Sequence, residues 1–177
     1  MMTSDLHLGH KNIHKFRDQF STAEEHHEVV FDNFASNIKK SDSVFFLGDI
    51  AFDDHWLNRL SEVKCRKKTL ILGNHDTERL SIVDIVNSGA YDAIHSLFSK
   101  RNCWFSHCPI HYGEFRGKEL NIHGHLHDKK IRKMNTIATD CIYVTMIDDH
   151  MYFNACVEHT DYKPISFEEI LERINHA

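Results

Sequence analysis

Proline and glycine are scarce, two and seven residues in a chain of 177. No Pro-, Gly- or Ser-rich linker and no repeat divides the chain, so length and composition together predict one domain over residues 1–177. No stretch approaches the roughly 18 consecutive apolar residues of a membrane-spanning helix. The opening, Met1-Met2-Thr3-Ser4-Asp5-Leu6-His7, lacks the basic region and apolar run of a signal peptide. Positive charge is also short. There are 21 Lys and Arg against 26 Asp and Glu, a net charge of -5, which leaves no whole-chain basic footprint for nucleic acid. The five cysteines (Cys65, Cys103, Cys108, Cys141, Cys156) are an odd, scattered set without C-x-x-C. They read as reduced thiols of a cytoplasmic protein, most of them serving as small buried hydrophobes.

Histidine is in excess, with 16 residues. Neutral imidazole is the commonest metal ligand, so a surplus of histidine with dispersed Asp points first to metal chemistry, and position has to decide. The pattern along the chain alternates. Residues before Asp5 read as a short, clipped first strand. Ser21-x-x-Glu24 reads as a capping box opening a helix, with Val30, Phe34 and Ile38 at helical spacing and an end near Lys40. Ser43 to Gly48 and Thr69 to Gly73 are apolar runs of strand length that stop at a glycine. Trp56, Leu57, Leu60 and Val63 mark a second helix, and Leu80, Val83, Ile85 and Val86 a third. Strands are then predicted over 93–99, 103–107, 119–124, 141–147 and 151–158, with Asp148-Asp149 as a hairpin turn. Ser166-x-x-Glu169 caps a last helix with Phe167, Ile170, Leu171 and Ile174 inward. Alternating strands and helices followed by strands make this an α/β chain, parallel first and with antiparallel strands added later.

Asp, Asn or His stands wherever a predicted strand ends. The places are Asp5-Leu6-His7, Gly48-Asp49, Gly73-Asn74-His75-Asp76, His107, and Gly124-His125-Leu126-His127. Functional groups gather at carboxyl ends of strands because loops there vary over a rigid scaffold. One Asp-x-His is a common turn; five such blocks after five apolar runs are not explained that way.

In these blocks the chain resembles the calcineurin-like metallophosphoesterase superfamily, whose signature is D-x-H, G-D, G-N-H-[DE], a lone H and G-H-x-H, in that order. The stretch from Asp161 to Ile170 is also similar to the tail of small, stand-alone phage and bacterial members. The resemblance implies two mixed β-sheets packed as a sandwich flanked by helices, with the site at one edge. It implies two divalent ions, one on Asp5, His7 and His127, the other on Asn74, His107 and His125, with Asp49 bridging. Nitrogen and oxygen ligands without thiolate suit Mn²⁺ first, with Fe, Zn or Ni as alternatives. The implied reaction is hydrolysis at phosphorus by a hydroxide held between the ions, with His75 protonating the leaving oxygen.

The sequence departs from the family where many members carry an acidic partner for this histidine. Phe52 occupies that place, so either the following Asp53 takes the role or His75 has no carboxylate partner. The clipped first strand predicts looser placement of Asp5 and His7. His10, Lys11 and Asn12 lie on a loop that either faces a substrate phosphate or is solvated. His111 is a further candidate for phosphate contact, and His123 for support of the ligands. His26, His27, His55, His150, His159 and His176 read as surface residues. The run Lys129-Lys130-Ile131-Arg132-Lys133, or Arg116 with Lys118, could hold a second phosphate, with a solvated loop as the plainer reading. Phe115 and Tyr112 could stack a base or be core.

Nothing resembles a cap domain, and an open site favours a phosphodiester over a phosphomonoester, with a nucleotide or cyclic nucleotide as the expected substrate. Two alternatives stand beside this reading: a nuclease acting on DNA or RNA ends, and a non-catalytic metal-binding scaffold for protein partners.

Overall fold

The computed structural model describes residues 1–138 and 142–176. Cys141, the first residue of one predicted strand, lies outside them. The first half alternates as expected: β1 (Met2–Thr3), α1 (Ala23–Ser36), β2 (Ser43–Phe46), α2 (Asp54–Glu62), β3 (Lys67–Ile71), a short α3 (Asp76–Arg79), α4 (Ile82–Asn87) and β4 (Ala93–His95). These strands form one sheet in the order β1-β2-β3-β4, parallel throughout. An antiparallel bridge from Met2 to Ile165 closes its outer edge. The second half supplies β5 (Phe98–Lys100), β6 (Cys103–Phe105), β7 (Leu120–His123), β8 (Arg132–Ala138), β9 (Ile142–Asp148), β10 (Tyr152–Asn154) and α5 (Phe167–Asn175). Here the sheet is mixed, in the order β10-β7-β6-β5: β10, β7 and β6 run parallel, and β5 pairs antiparallel with β6.

The run from Val44 to Leu47 shows why the first sheet is apolar on both faces. Val44 and Phe46 join the cluster formed with Val30, Phe31 and Phe34 of α1 and Trp56, Leu57 and Leu60 of α2. Phe45 and Leu47 face the other way, into a cluster with Phe105, Ile122 and Ile170. The Phe45 and Phe105 rings stack across the sheets, 5.0 Å between centroids. Successive residues of a strand point to opposite faces, so a strand covered on both sides reads as a continuous apolar run. The result is the expected sandwich of two sheets flanked by helices.

Several local expectations shift. The α1 cap is Thr22, whose hydroxyl accepts from the Glu25 N–H at 3.1 Å, while the Glu25 carboxylate accepts from the Ser21 N–H. The cap is one residue later than predicted and is not a reciprocal box, since Glu25 reaches the Ser21 N–H and not that of Thr22, and the helix stops at Ser36 with Asn37 as its C-cap. His26 and His27 are buried, not on the surface. They lie one turn before Val30 and Phe31 on the inward stripe, a spacing already visible in the sequence. In α4 only Ile85 is buried, and Val83 and Val86 face solvent.

The single strand predicted over 93–99 is two strands in different sheets, since the chain crosses the sandwich between His95 and Phe98. A tight turn at Arg101 and Asn102, both with positive φ, then reverses it. Asp148-Asp149 is not a hairpin turn. β9 pairs back onto β8, whose first two residues, Arg132 and Lys133, end the stretch read as a basic loop, and β10 pairs with β7 instead. No helix among the described residues is long and apolar enough to cross a membrane.

Candidate metal centre

Carboxyl ends of strands from both sheets meet at one edge, and the residues there adopt unusual backbone. Asp5, His7, Asp49, His125 and His127 all have φ between 50° and 71°. Non-glycine residues in this left-handed region are uncommon, and where the surroundings hold them there they cluster at functional sites. The holding groups are backbone. Asp5 and His7 donate their N–H groups to the carbonyls of Gly48 and Asp49, each at 3.0 Å. Close approach accounts for two glycines: a Cβ on Gly73 would run into the Asp49 backbone and carboxylate, and one on Gly124 into Ser4 and Asp5. Asp76 ties the two loops together. Its carboxylate accepts from the N–H groups of Gly73 (2.7 Å), Ile50 (2.9 Å) and Asp49 (3.1 Å).

The short first strand does not loosen this arrangement. β1 is pinned by β2 on one side and by Ile165 on the other, and Ser4 bridges to Cys156. Asp5 is fully buried. Its Oδ2 accepts from Ser4 Oγ at 2.6 Å, the His125 N–H at 2.9 Å and the Cys156 thiol at 3.0 Å. Oδ1 has no hydrogen-bond partner. It faces His7 Nε2 at 3.6 Å and His127 Nε2 at 3.9 Å. Both ring nitrogens of the buried His7 are also unpartnered.

Asp49 divides its oxygens in the same way. Oδ1 accepts from the His75 N–H at 2.9 Å, while Oδ2 lies 3.3 Å from His107 Nε2 and 3.9 Å from His7 Nε2. His107 donates Nδ1–H to the Leu47 carbonyl at 2.8 Å, which aims Nε2 at the cluster, 2.8 Å from Asn74 Oδ1 and 3.2 Å from His125 Nδ1.

Among the described residues, three groups of ligand atoms are close enough to share an ion: Asp5, His7 and His127; Asp5, Asp49 and His107; and His107, Cys108 and His125. Buried polar atoms are ordinarily hydrogen-bonded, so orphaned carboxylate and imidazole atoms converging here fit a bound cation. The electrostatics agree. Burial alone would lower His107, yet the Asp49 hydrogen bond and the Asp5 and Asp49 charges raise it to about 9. Burial opposes ionisation of Asp5 and Asp49 too, but His7 and His107 respectively hold each carboxyl below its ordinary range. Burial lowers His7 and His125, favouring the neutral imidazole that ligates a cation.

His75 is half-exposed, and its Nδ1 lies 2.8 Å from Glu78 Oε1, one helical turn on. The acidic partner absent at Phe52 is therefore Glu78; Asp53 instead caps α2 by accepting from the Trp56 N–H. His10 lines the cavities beside His7 and His75. Lys11 and Asn12 are exposed and line neither of them. His111 is not brought to the cluster. It accepts from the Gly113 N–H, stacks 4.3 Å from Tyr112 and lines a separate cavity with Trp104. His123 is buried and donates Nδ1–H to the Gly124 carbonyl, steadying the loop that carries His125 and His127. Burial keeps it neutral, at about 4. Phe115 is core. Lys130 and Arg132 pair with Asp148, Lys133 with Asp149, and Arg116 with Glu114.

Sequence reading missed Glu78, Cys108, Glu158 and Arg17. Glu158 Oε1 accepts from His127 Nδ1 at 3.0 Å and from Arg17 Nε and Nη2 at 2.9 and 2.7 Å. It has the same signal as the other site residues, an acid at the end of a predicted strand. Arg17 has no local signal. It is buried, and also donates to the carbonyls of Asp5 and Leu6.

A pocket of carboxylates and imidazoles at the strand ends of an α/β sandwich defines a candidate metal-binding protein. The chain belongs to the calcineurin-like phosphoesterase family, whose model matches residues 1–167. It is 26% identical to the uncharacterized protein MJ1445 of Methanocaldococcus jannaschii over 98% of this chain and 89% of that protein. It is 40% identical to the gene 66 protein of Mycobacterium phage L5 over 79 residues, which span 42% of this chain and 38% of the phage protein. The crystal structure of AQ665, a protein of unknown function from Aquifex aeolicus, superposes with a TM-score of 0.68 at 22% identity, covering 97% of each chain.

Proposed function

We propose that the chain is a metal-dependent phosphoester hydrolase of small substrates. The observation that carries the reading is the division of labour within each aspartate: one oxygen is tied into the backbone frame, and the other faces imidazoles across a buried pocket. Asp5, His7 and His127 would hold one divalent ion, and Asn74, His107 and His125 the other. Asp49 Oδ2, between His7 and His107, would serve both. Mn²⁺ fits the nitrogen and oxygen donors. Such ions, when bound, draw the phosphate and supply an activated water for in-line attack.

The chain's own residues do the rest. His75 carries the proton that the leaving oxygen needs. Its Nδ1 is engaged by Glu78, so Nε2 is the atom left to donate, and the Glu78 carboxylate stabilises the imidazolium before transfer. His10, on the wall shared with His7 and His75, would steer the phosphate. An open site of this kind favours diesters, in a protein that works in the cytoplasm as one catalytic unit over 1–177.

The test is hydrolysis of bis-p-nitrophenyl phosphate and p-nitrophenyl phosphate by metal-stripped protein, with and without Mn²⁺, beside His75→Ala. Turnover that requires metal and collapses in the variant, with metal still bound, supports the reading. Metal binding without turnover of either compound or of a nucleotide panel would overturn it and leave the scaffold alternative.

A further inference from the structure

Next to the ligands a cavity of about 500 Å³ runs from His7, His75 and His127 to a wall of Ile13, Phe16 and Tyr162. Phe16 is 78% exposed, more than any other large apolar side chain among the described residues. Its backbone is nevertheless held, with its N–H on the Ile13 carbonyl at 2.9 Å. The core has no use for this ring: Ile13 and Phe20 fill the buried positions on either side of it. A singly exposed apolar residue is ordinary on a protein surface, but this ring lines the cavity that holds the ligand histidines, where its open face can cover an apolar part of a bound molecule.

Charge narrows what that ligand is. Arg17 is the one arginine or lysine on the cavity wall, and its guanidinium is spent on Glu158, His26 and the carbonyls of Asp5 and Leu6. The acids on the wall are Asp128 and Glu158. With Glu158 paired in turn to Arg17 and His127, a second phosphate would find no free arginine or lysine on this wall and would face the Asp128 carboxylate. Polar partners for an uncharged group are present: the Gln19 amide, hydrogen-bonded to the Tyr162 hydroxyl, and the exposed Asp128 carboxylate, which can accept from hydroxyls.

We infer that this cavity binds a nucleoside-like group, a flat base with neutral hydroxyls and no additional phosphate, esterified to the phosphate held at the metal ligands, with Phe16 stacking on the base. The inference rests on the phosphoesterase reading and gives its site a substrate class.

The test compares the p-nitrophenyl ester of thymidine 5′-phosphate with methyl p-nitrophenyl phosphate, which release the same chromophore. Wild-type protein with Mn²⁺ turns over the nucleoside ester with a kcat/KM about tenfold higher, mainly through KM, and Phe16→Ala removes most of that advantage while Phe16→Trp restores it. Equal kcat/KM for the two esters, with Phe16→Ala lowering neither relative to the other, overturns the pocket and leaves the hydrolase intact. If neither ester is cleaved, the hydrolase reading is what has failed, and calorimetric titration of thymidine 5′-monophosphate decides the pocket separately. Binding weakened about tenfold by Phe16→Ala supports it, and identical binding overturns it.

Discussion

The strand ends that carry the metal ligands and the β8–β9 ribbon are held in opposite ways. At the strand ends, Asp5, Asp49 and His107 are buried, and each has one polar atom fixed by backbone or by a neighbouring loop. Among the described residues, β8 and β9 pair with each other and with no other strand. Met134, Ile142, Tyr143, Val144 and Met146 on them are exposed. A two-stranded ribbon without a covering layer contributes little stability of its own. Side-chain precision therefore comes from convergence of several elements on one place, and regular hydrogen bonding along a strand does not supply it.

Substitutions at the two places should separate sharply. Gly73→Ala forces a methyl into the Asp49 carboxylate and backbone. It should cost about 1–3 kcal/mol of stability and abolish metal-dependent turnover, read by urea denaturation and the p-nitrophenyl assay. Met146→Lys, on the exposed ribbon, should stay within about 0.5 kcal/mol of wild type. A ribbon variant as damaging as the glycine variant would break the comparison.

Within the site, the layer behind the ligands is the next test. Glu158→Gln keeps the shape but weakens the acceptor for His127 Nδ1 and leaves Arg17 without its carboxylate. Metal affinity measured by calorimetry should fall about 10–100-fold, as for other carboxylates behind a ligating histidine. Unchanged affinity would mean that Glu158 serves packing alone.

The buried arm of the same network gives a pH effect. His26 Nε2 accepts from Arg17 at 2.6 Å, so its proton sits on Nδ1, facing His27 Nδ1 at 3.1 Å. Burial, then the Arg17 charge, lower His26 to about 2 from the ordinary 6.5. The unfolded chain thus binds a proton below pH 6.5 that the folded chain refuses. The stability contributed by the neutral ring is complete above 6.5 and drains as pH falls toward 2, by up to about 1.4 kcal/mol per pH unit. Replacing His26 with Gln should flatten the pH dependence of denaturation between 6 and 4 relative to wild type. An unaltered slope would show that other groups carry it.

Much of the site was legible because its residues are local punctuation. Asp5, Asp49, Asn74, His107 and His125 each follow an apolar run, and a strand that ends must hand its next residue to a loop. His26 and His27 were misread as surface residues because their polarity outweighed their spacing, one turn before Val30 and Phe31 on the buried face of α1. Glu78 escaped because the expected partner lay on another loop, whereas a helix turn brings residue i+3 alongside.

The amino-acid sequence by itself determined the alternation of strands and helices in the first half, its parallel character and the residues at the strand ends, since each follows from periodicity over a few neighbours. Only the tertiary structure decided that residues 93–99 split between two sheets, that β9 turns back onto β8, that Arg17 reaches Glu158 across 141 positions and that Phe16 stands unburied beside the metal ligands. Those are contacts between distant segments, selected by which faces remain to be covered once the sheets have packed, and no local pattern encodes them.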